Sequence, residues 1–302
     1  MADKVVKKIE AKIVLGDLDF LEDKEPSPTF KEYSDIWIKV TVPATCKPST
    51  AASYKGLLDN HILQVFKNKH VSEINRNDIK SFLMKKYKSG VAASTVGHMK
   101  SVLSGVLNMA VDDEVILANP THRIGKIFRV KHIQDNISPL TRKELTLLLD
   151  AFKKHKSSHY PMALLLARTG MRLGEVLALQ WGDIDFNGRV IRVARTLSLG
   201  KVETPKRGKS RRVDMSKQLT KVLSELKTQR KLQTLKEGWK QVPDWVFINA
   251  VGKPLDINHW RRRVFEKVLE KAKLRKIRVH DLRHTYASLL IQAGESLVYV
   301  RD

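Results

Sequence analysis

Three stretches of this 302-residue sequence hold cations in settings that solubility alone does not explain. The first is Thr169-Gly-Met-Arg-Leu-Gly-Glu-Val-Leu-Ala-Leu179, where Arg172 follows a glycine and has apolar flanks. An arginine so placed asks for a carboxylate or a phosphate, because guanidinium groups are rarely buried without a partner. A salt bridge to Glu175 competes evenly with an external phosphate. The second stretch is Arg278-Val-His-Asp-Leu-Arg-His-Thr-Tyr286. On a helix, His280 and Arg283 face the same way. A guanidinium and an imidazole converging on one point can hold two oxygens of a phosphate and move a proton. Taken alone, His-x-x-Arg is more often a solvated helix face. The third is Lys201-Val-Glu-Thr-Pro-Lys-Arg-Gly-Lys-Ser-Arg-Arg212. A lysine on a β-turn there can reach a phosphate or a departing oxygen. Arg207, Lys209, Arg211 and Arg212 read instead as sequence-independent phosphate contacts.

Other chemistries fit less well. Gly208-Lys209-Ser210 resembles the end of a nucleotide-binding P-loop, but its first glycine would fall at Glu203. That argues against an ATP site. His280 and His284 have the spacing of two metal ligands, yet no Glu follows the first and Arg283 lies between them. No metal and no cofactor is expected. There is no Gly-x-Ser-x-Gly elbow. The lone Cys46 excludes an internal disulfide and a Cys-rich zinc site, which suits a reducing, cytoplasmic setting.

The elements that must position these residues are mainly helical. Residues 1–28 predict a short amphipathic helix (Val5, Val6, Ile9, Ile13) and an acidic, Pro-bearing linker. Residues 29–120 predict a bundle of four or five helices. Phe30, Tyr33, Trp37 and Val40 recur at helical spacing, and Pro48-Ser49-Thr50 opens the next helix. A third segment opens at Asn77-Asp78 and ends in Lys85, Lys86 and Lys88, and a fourth opens at Ser94-Thr95. Residues 121–136 form a basic linker. Residues 137–302 start with a capping box, Thr141 with Glu144, followed by an apolar face of Leu145, Leu148, Leu149 and Phe152. Helices over 162–167, 173–179, 216–235, 257–273 and 280–293 surround a small antiparallel sheet. One strand there is entered through Asn187-Gly188, and a second runs within 202–215.

Charge narrows the partner. The net charge is +24, of which residues 1–140 carry +5 and residues 141–302 carry +19. A surplus this concentrated attracts polyanions, and nucleic acid suits it better than an anionic membrane. No apolar run approaches the roughly 18 residues of a membrane span. The N-terminus lacks the apolar core of a secretory signal.

Taken together, the three motifs resemble one family, the tyrosine site-specific recombinases or phage-type integrases. Thr-Gly-Met-Arg-Leu-Gly-Glu-Val-Leu-Ala-Leu precedes His-Asp-Leu-Arg-His-Thr-Tyr-Ala-Ser by about a hundred residues, with the basic turn between them. Leu179-Gln-Trp-Gly-Asp-Ile-Asp185 extends the first motif as the family does. The resemblance covers roughly residues 30–302. It implies a helical, SAM-like core-binding bundle and a mainly α catalytic domain, closing together as a clamp around double-stranded DNA. Lys85, Lys86 and Lys88 would then contact DNA from the bundle.

By position, the resemblance has Arg172 and Arg283 clamp the scissile phosphate and stabilise its pentacoordinate transition state. Lys206 would protonate the departing 5′ oxygen, a choice over Lys209 that rests on turn register. His280 would assist proton transfer. A tyrosine then attacks phosphorus to give a 3′-phosphotyrosine, without ATP or metal. In the family that tyrosine follows a Gly-His motif downstream of the second motif, and no Gly-His occurs between Arg283 and Asp302. Tyr286 lies inside the second motif and Tyr299 comes too early. The expectation is therefore a C-terminally shortened integrase of a phage or mobile element, with no nucleophile and unable to cleave. It would serve DNA integration and excision, and family members self-associate on DNA. Two further readings stand beside it, a non-catalytic protein competing for recombination sites and a general nucleic-acid coating protein.

Overall fold

A computed structural model describes residues 27–124, 138–204 and 210–296. They fall into two compact units divided between His132 and Ile133. Of the expected N-terminal helix and linker at residues 1–28, residues 1–26 lie outside the described residues, as do residues 125–136 of the expected basic linker.

The first unit is a helical bundle. Helix α1, Phe30–Ile36, continues through a π-helical stretch, Trp37–Thr41, into Val42–Thr45. Thr29 caps it: its hydroxyl accepts the Glu32 amide while Glu32 accepts the Thr29 amide at 2.9 Å. Helix α2, Pro48–Leu57, likewise runs through a π-helical Leu58–Ile62 into Leu63–Phe66. Helix α3 spans Arg76–Lys88 and α4 spans Ala93–Asp112. Asn75, two residues before the expected start, caps α3 by accepting the amides of Asn77 and Asp78. Each helix turns one apolar face inward, and Phe30, Phe66, Ile79, Met99 and Leu103 are all but inaccessible. Ile124 is also buried in this core, and Lys100 donates to its carbonyl at 2.9 Å. The segment expected to begin the linker at residue 121 therefore packs on the bundle as far as Ile124.

The second unit is built around one apolar helix. Helix α5, Arg142–His155, opens with the expected Thr141–Glu144 box, and its four predicted apolar residues are buried. Helix α6, Tyr160–Thr169, buries Pro161 through Ala167 on every face. That pattern marks a central helix, and α6 packs against α5, α8 (Lys217–Lys236) and α10 (Asp281–Gln292). Helix α7 is short, Leu173–Leu177. Helix α9 starts at Ile257–His259 and passes through a π-helical Trp260–Phe265 into Glu266–Lys271. Trp260 and Phe265 stack beside Phe152 beneath it.

The β-structure departs from the expected two strands. Strands β1 (Ile184–Asp185), β2 (Val190–Val193) and β5 (Arg211–Asp214) form one antiparallel sheet in the order β1-β2-β5. Strands β3 (Thr196–Ser198) and β4 (Lys201–Glu203) form a separate hairpin. The single strand expected within 202–215 is thus two strands in two sheets. Leu199 and Gly200, both at positive φ (49° and 74°), turn the chain between β3 and β4. Two successive positive φ values match the right-handed twist of a tight hairpin. A leucine at the first position hides that turn from a reading by residue type.

Candidate functional site

The site is assembled at the N-terminal ends of two short helical segments. Helix α6 ends at Gly170, whose left-handed φ of +59° reverses the chain and delivers Arg172 to the start of α7. A side chain there would be strained, and its Cβ would stand 2.6 Å from the Tyr286 ring. The carbonyl of this same glycine accepts Nη1 of Arg283 at 2.6 Å. One backbone turn therefore sets the positions of both arginines. Helix α10 is anchored from the far side, because buried Thr285 accepts the Leu140 amide at 2.9 Å.

Glu175 forms the floor. It is 2% exposed in an otherwise apolar run, and it accepts the Arg172 amide and Arg172 Nη1, both at 2.9 Å. Two further hydrogen bonds come from Arg211, Nη1 at 3.1 Å and Nη2 at 2.7 Å. Burial pushes the Glu175 carboxyl up, but the hydrogen bonds from Arg211 and Arg172 outweigh it and hold the group below its ordinary value. It is an anion at neutral pH. Its charge is shared between two cations, so the cluster keeps a positive excess.

Arg172 keeps 44% of its side chain exposed although one nitrogen is on Glu175. The two readings left open by the sequence, internal salt bridge and outward cation, are both realised in one residue. His280 stands just before α10 and is exposed. Burial, then the charges of His284, Arg283, Arg172 and Arg278, hold its imidazole below the usual range. It is therefore neutral at pH 7, able to accept or donate one proton. Arg283 is half-buried, and burial plus the Arg172 and Arg211 charges press on its guanidinium. Three cations and a neutral imidazole around one buried carboxylate make a surface that favours an oxyanion. Beside it, Met171, Arg261, Arg278 and His280 line a cleft of about 670 Å³.

Among the sequence candidates, the structure brings Arg172, His280 and Arg283 together. Lys206, Arg207 and Lys209 lie outside the described residues. Arg211 is a correction: grouped by sequence with outward phosphate contacts, it points inward onto Glu175 with a side chain 22% exposed. The alternation of β5 explains this, because Arg211 and Val213 share the covered face while Arg212 and Asp214 are exposed. Lys85 and Lys88 are exposed on the last turn of α3, and Lys86 lies over the Phe82 ring at 5.8 Å from its centre. Glu175 was visible in the sequence only as the possible partner of Arg172. A buried acid needs more than one donor, and that requirement is the signal that could have revealed a second arginine. His280 and His284 meet edge to face, 5.1 Å between ring centres.

Gly174 locks the hairpin to this cluster. A Cβ at that position would lie 2.7 Å from both the Leu197 carbonyl and the Thr196 hydroxyl. Only glycine permits β3 to approach α7 so closely. The hairpin leads directly into residues 205–209.

Comparison with known proteins places the chain in a family. The phage integrase family model matches residues 138–302, and the phage integrase N-terminal SAM-like domain matches residues 29–87. The chain is 26% identical to a tyrosine recombinase XerC-like protein of Caldanaerobacter subterraneus, over 91% of this chain and 75% of that one. It is also 26% identical to the ICEBs1 integrase of Bacillus subtilis, over 99% and 81% respectively. In fold it is similar to the Tn1549 transposon integrase solved with a circular intermediate DNA, with a TM-score of 0.76, 20% identity and coverage of 91% and 90%. A lambda integrase tetramer bound to a Holliday junction gives a TM-score of 0.71, 18% identity and coverage of 98% and 84%. With residues 138–302, more than half of the chain, matched by the family model and residues 29–87 matched by its N-terminal domain, this chain belongs to the phage integrase family.

Proposed function

We propose that the chain grips a backbone phosphodiester of double-stranded DNA in the integration and excision reactions of a phage or mobile element. The observation that carries this reading is the shared use of Glu175. It fixes one edge of Arg172 through Nη1 and leaves a little under half of the side chain open to solvent, beside Arg283 and His280. Arg172 and Arg283 bind the two non-bridging oxygens and gain strength as charge builds on them in the transition state. Neutral His280 takes or supplies a proton at the same phosphate. Lys206, assigned by its place in the motif, protonates the 5′ oxygen as it departs. The fold's relatives on DNA and the +19 charge of residues 141–302 support duplex DNA as partner, and self-association there.

For the 302-residue polypeptide by itself, we propose binding without strand cleavage. Tyr286 is packed on Gly170, and burial, with Asp214 and Glu295 adding, raises its hydroxyl above the ordinary range. Such a phenol is a poor nucleophile. This polypeptide then occupies recombination sites and competes with a cleaving recombinase.

Fluorescence anisotropy on duplexes containing the element's recombination site tests the first claim. Affinity falls steeply with salt, and Arg172→Ala weakens binding at the cleavage site more than on random duplex. Equal loss on both would leave only a nonspecific coating role. A nicked suicide duplex tests the second, since a covalent adduct on Tyr286 or Tyr299 would refute it.

A further inference from the structure

A second cavity in the catalytic unit lies apart from the arginine cluster, between α8 and α9. Its volume is about 790 Å³, within the range of small-molecule sites. Leu226, Phe247, Leu255 and Trp260 supply apolar wall, and Gln229, Asn249, His159 and His259 supply polar groups. Set into that wall is Arg230, only 9% exposed.

Arg230 lacks a counter-charge among the described residues. Its Nη1 donates to the Gln233 side chain at 2.6 Å, and its Nη2 makes a long 3.4 Å contact with the Val246 carbonyl. Nε is buried with no acceptor, and the indole Nε1 of Trp260 in the same wall is equally unmatched. The one carboxylate lining the cavity, Asp256, caps α9 by accepting the His259 amide. Burial lowers the Arg230 pKa, and no neighbouring charge offsets that. Guanidinium does not deprotonate in proteins, so the charge stays, and a buried unpaired charge is costly.

We propose that this cavity binds a small organic anion, an apolar or aromatic body carrying one carboxylate or phosphate, with Arg230 as its charge partner. The anion sits against the guanidinium while the body covers the Phe247 and Leu226 side of the wall. The site is separate from the DNA-gripping cluster and does not depend on the function proposed for it.

Saturation-transfer NMR on the full chain tests this, with phenyl phosphate and benzoate as probes and neutral benzamide as control. Both or either anion binds to the wild type, at least about tenfold tighter than benzamide. Arg230→Met weakens binding by about tenfold or more, and does so equally in an Arg172→Ala background, where the arginine cluster no longer takes the probe. Preference for phenyl phosphate assigns phosphorylated ligands, and preference for benzoate assigns carboxylates. Ala250→Trp, which plugs the exposed rim and keeps Arg230, abolishes binding and decides the matter if Arg230→Met does not fold. Any one of three results overturns the proposal: no anion binding up to about 10 mM, benzamide binding as tightly as the tighter of the two anions, or undiminished binding in the folded variants.

Discussion

Replacing Glu175 with glutamine keeps the side chain's shape and removes the one charge that ties Arg172 to Arg211. Glu175 is 2% exposed and accepts four hydrogen bonds, three of them from guanidinium groups. Glutamine keeps one acceptor oxygen and turns an N–H₂ donor toward donors. Breaking a fully buried ion pair costs about 3–5 kcal/mol. Here the arginine side chains are 44% and 22% exposed, so water screens part of the loss. The expected destabilisation is about 2–3 kcal/mol, or about 5–10 °C in Tm for a unit of this size. The pH dependence carries a sign. The folded carboxyl is held below its ordinary value of 4.5, so its contribution is complete above that value and disappears as pH falls through the folded pKa. Urea unfolding of Glu175→Gln and wild type, from pH 7 down to acid, should show a gap that is constant near neutrality and closes in acid. A gap under about 0.5 kcal/mol at pH 7, or one that persists unchanged at the acid end, would refute the shared-anion account.

Three other outcomes follow from the same geometry. Arg172→Ala should raise the His280 pKa toward its ordinary 6.5, because a nearby positive charge is removed; histidine NMR titration reads this directly. Gly174→Ala should push β3 off α7, costing about 1–3 kcal/mol, with faster hydrogen exchange concentrated in residues 196–203. Gly170→Ala combines a left-handed backbone with a clash against Tyr286 and should cost about 2–3 kcal/mol; calorimetry showing no loss would mean that the turn relaxes freely.

Much of the fold is legible in the sequence, for local reasons. Thr141 with Glu144 announced α5, and the spacing of Leu145, Leu148, Leu149 and Phe152 announced its buried face, because capping and helical periodicity involve residues within one or two turns. The motif contexts around Arg172, His280 and Arg283 likewise identified side chains suited to a phosphate. The β-structure was harder. The break between β4 and β5 depends on which partner each segment finds, and residues 211–214 pair with 190–193 across about twenty residues of chain. Nothing within 202–215 states that choice.

Residue type and spacing thus determined the helices, their inward faces and the cations able to meet an oxyanion. Tertiary structure alone decided that Arg211 turns inward, that Glu175 serves two arginines, and that the Gly170 carbonyl holds Arg283. Arg172 and Glu175 are only 3 positions apart and were legible as a pair, but the bonds from Arg211 and Arg283 span 36 and 113 positions. A short-range pattern can select a helix, but convergence at such separations is set by how α6, α7, β5 and α10 pack together.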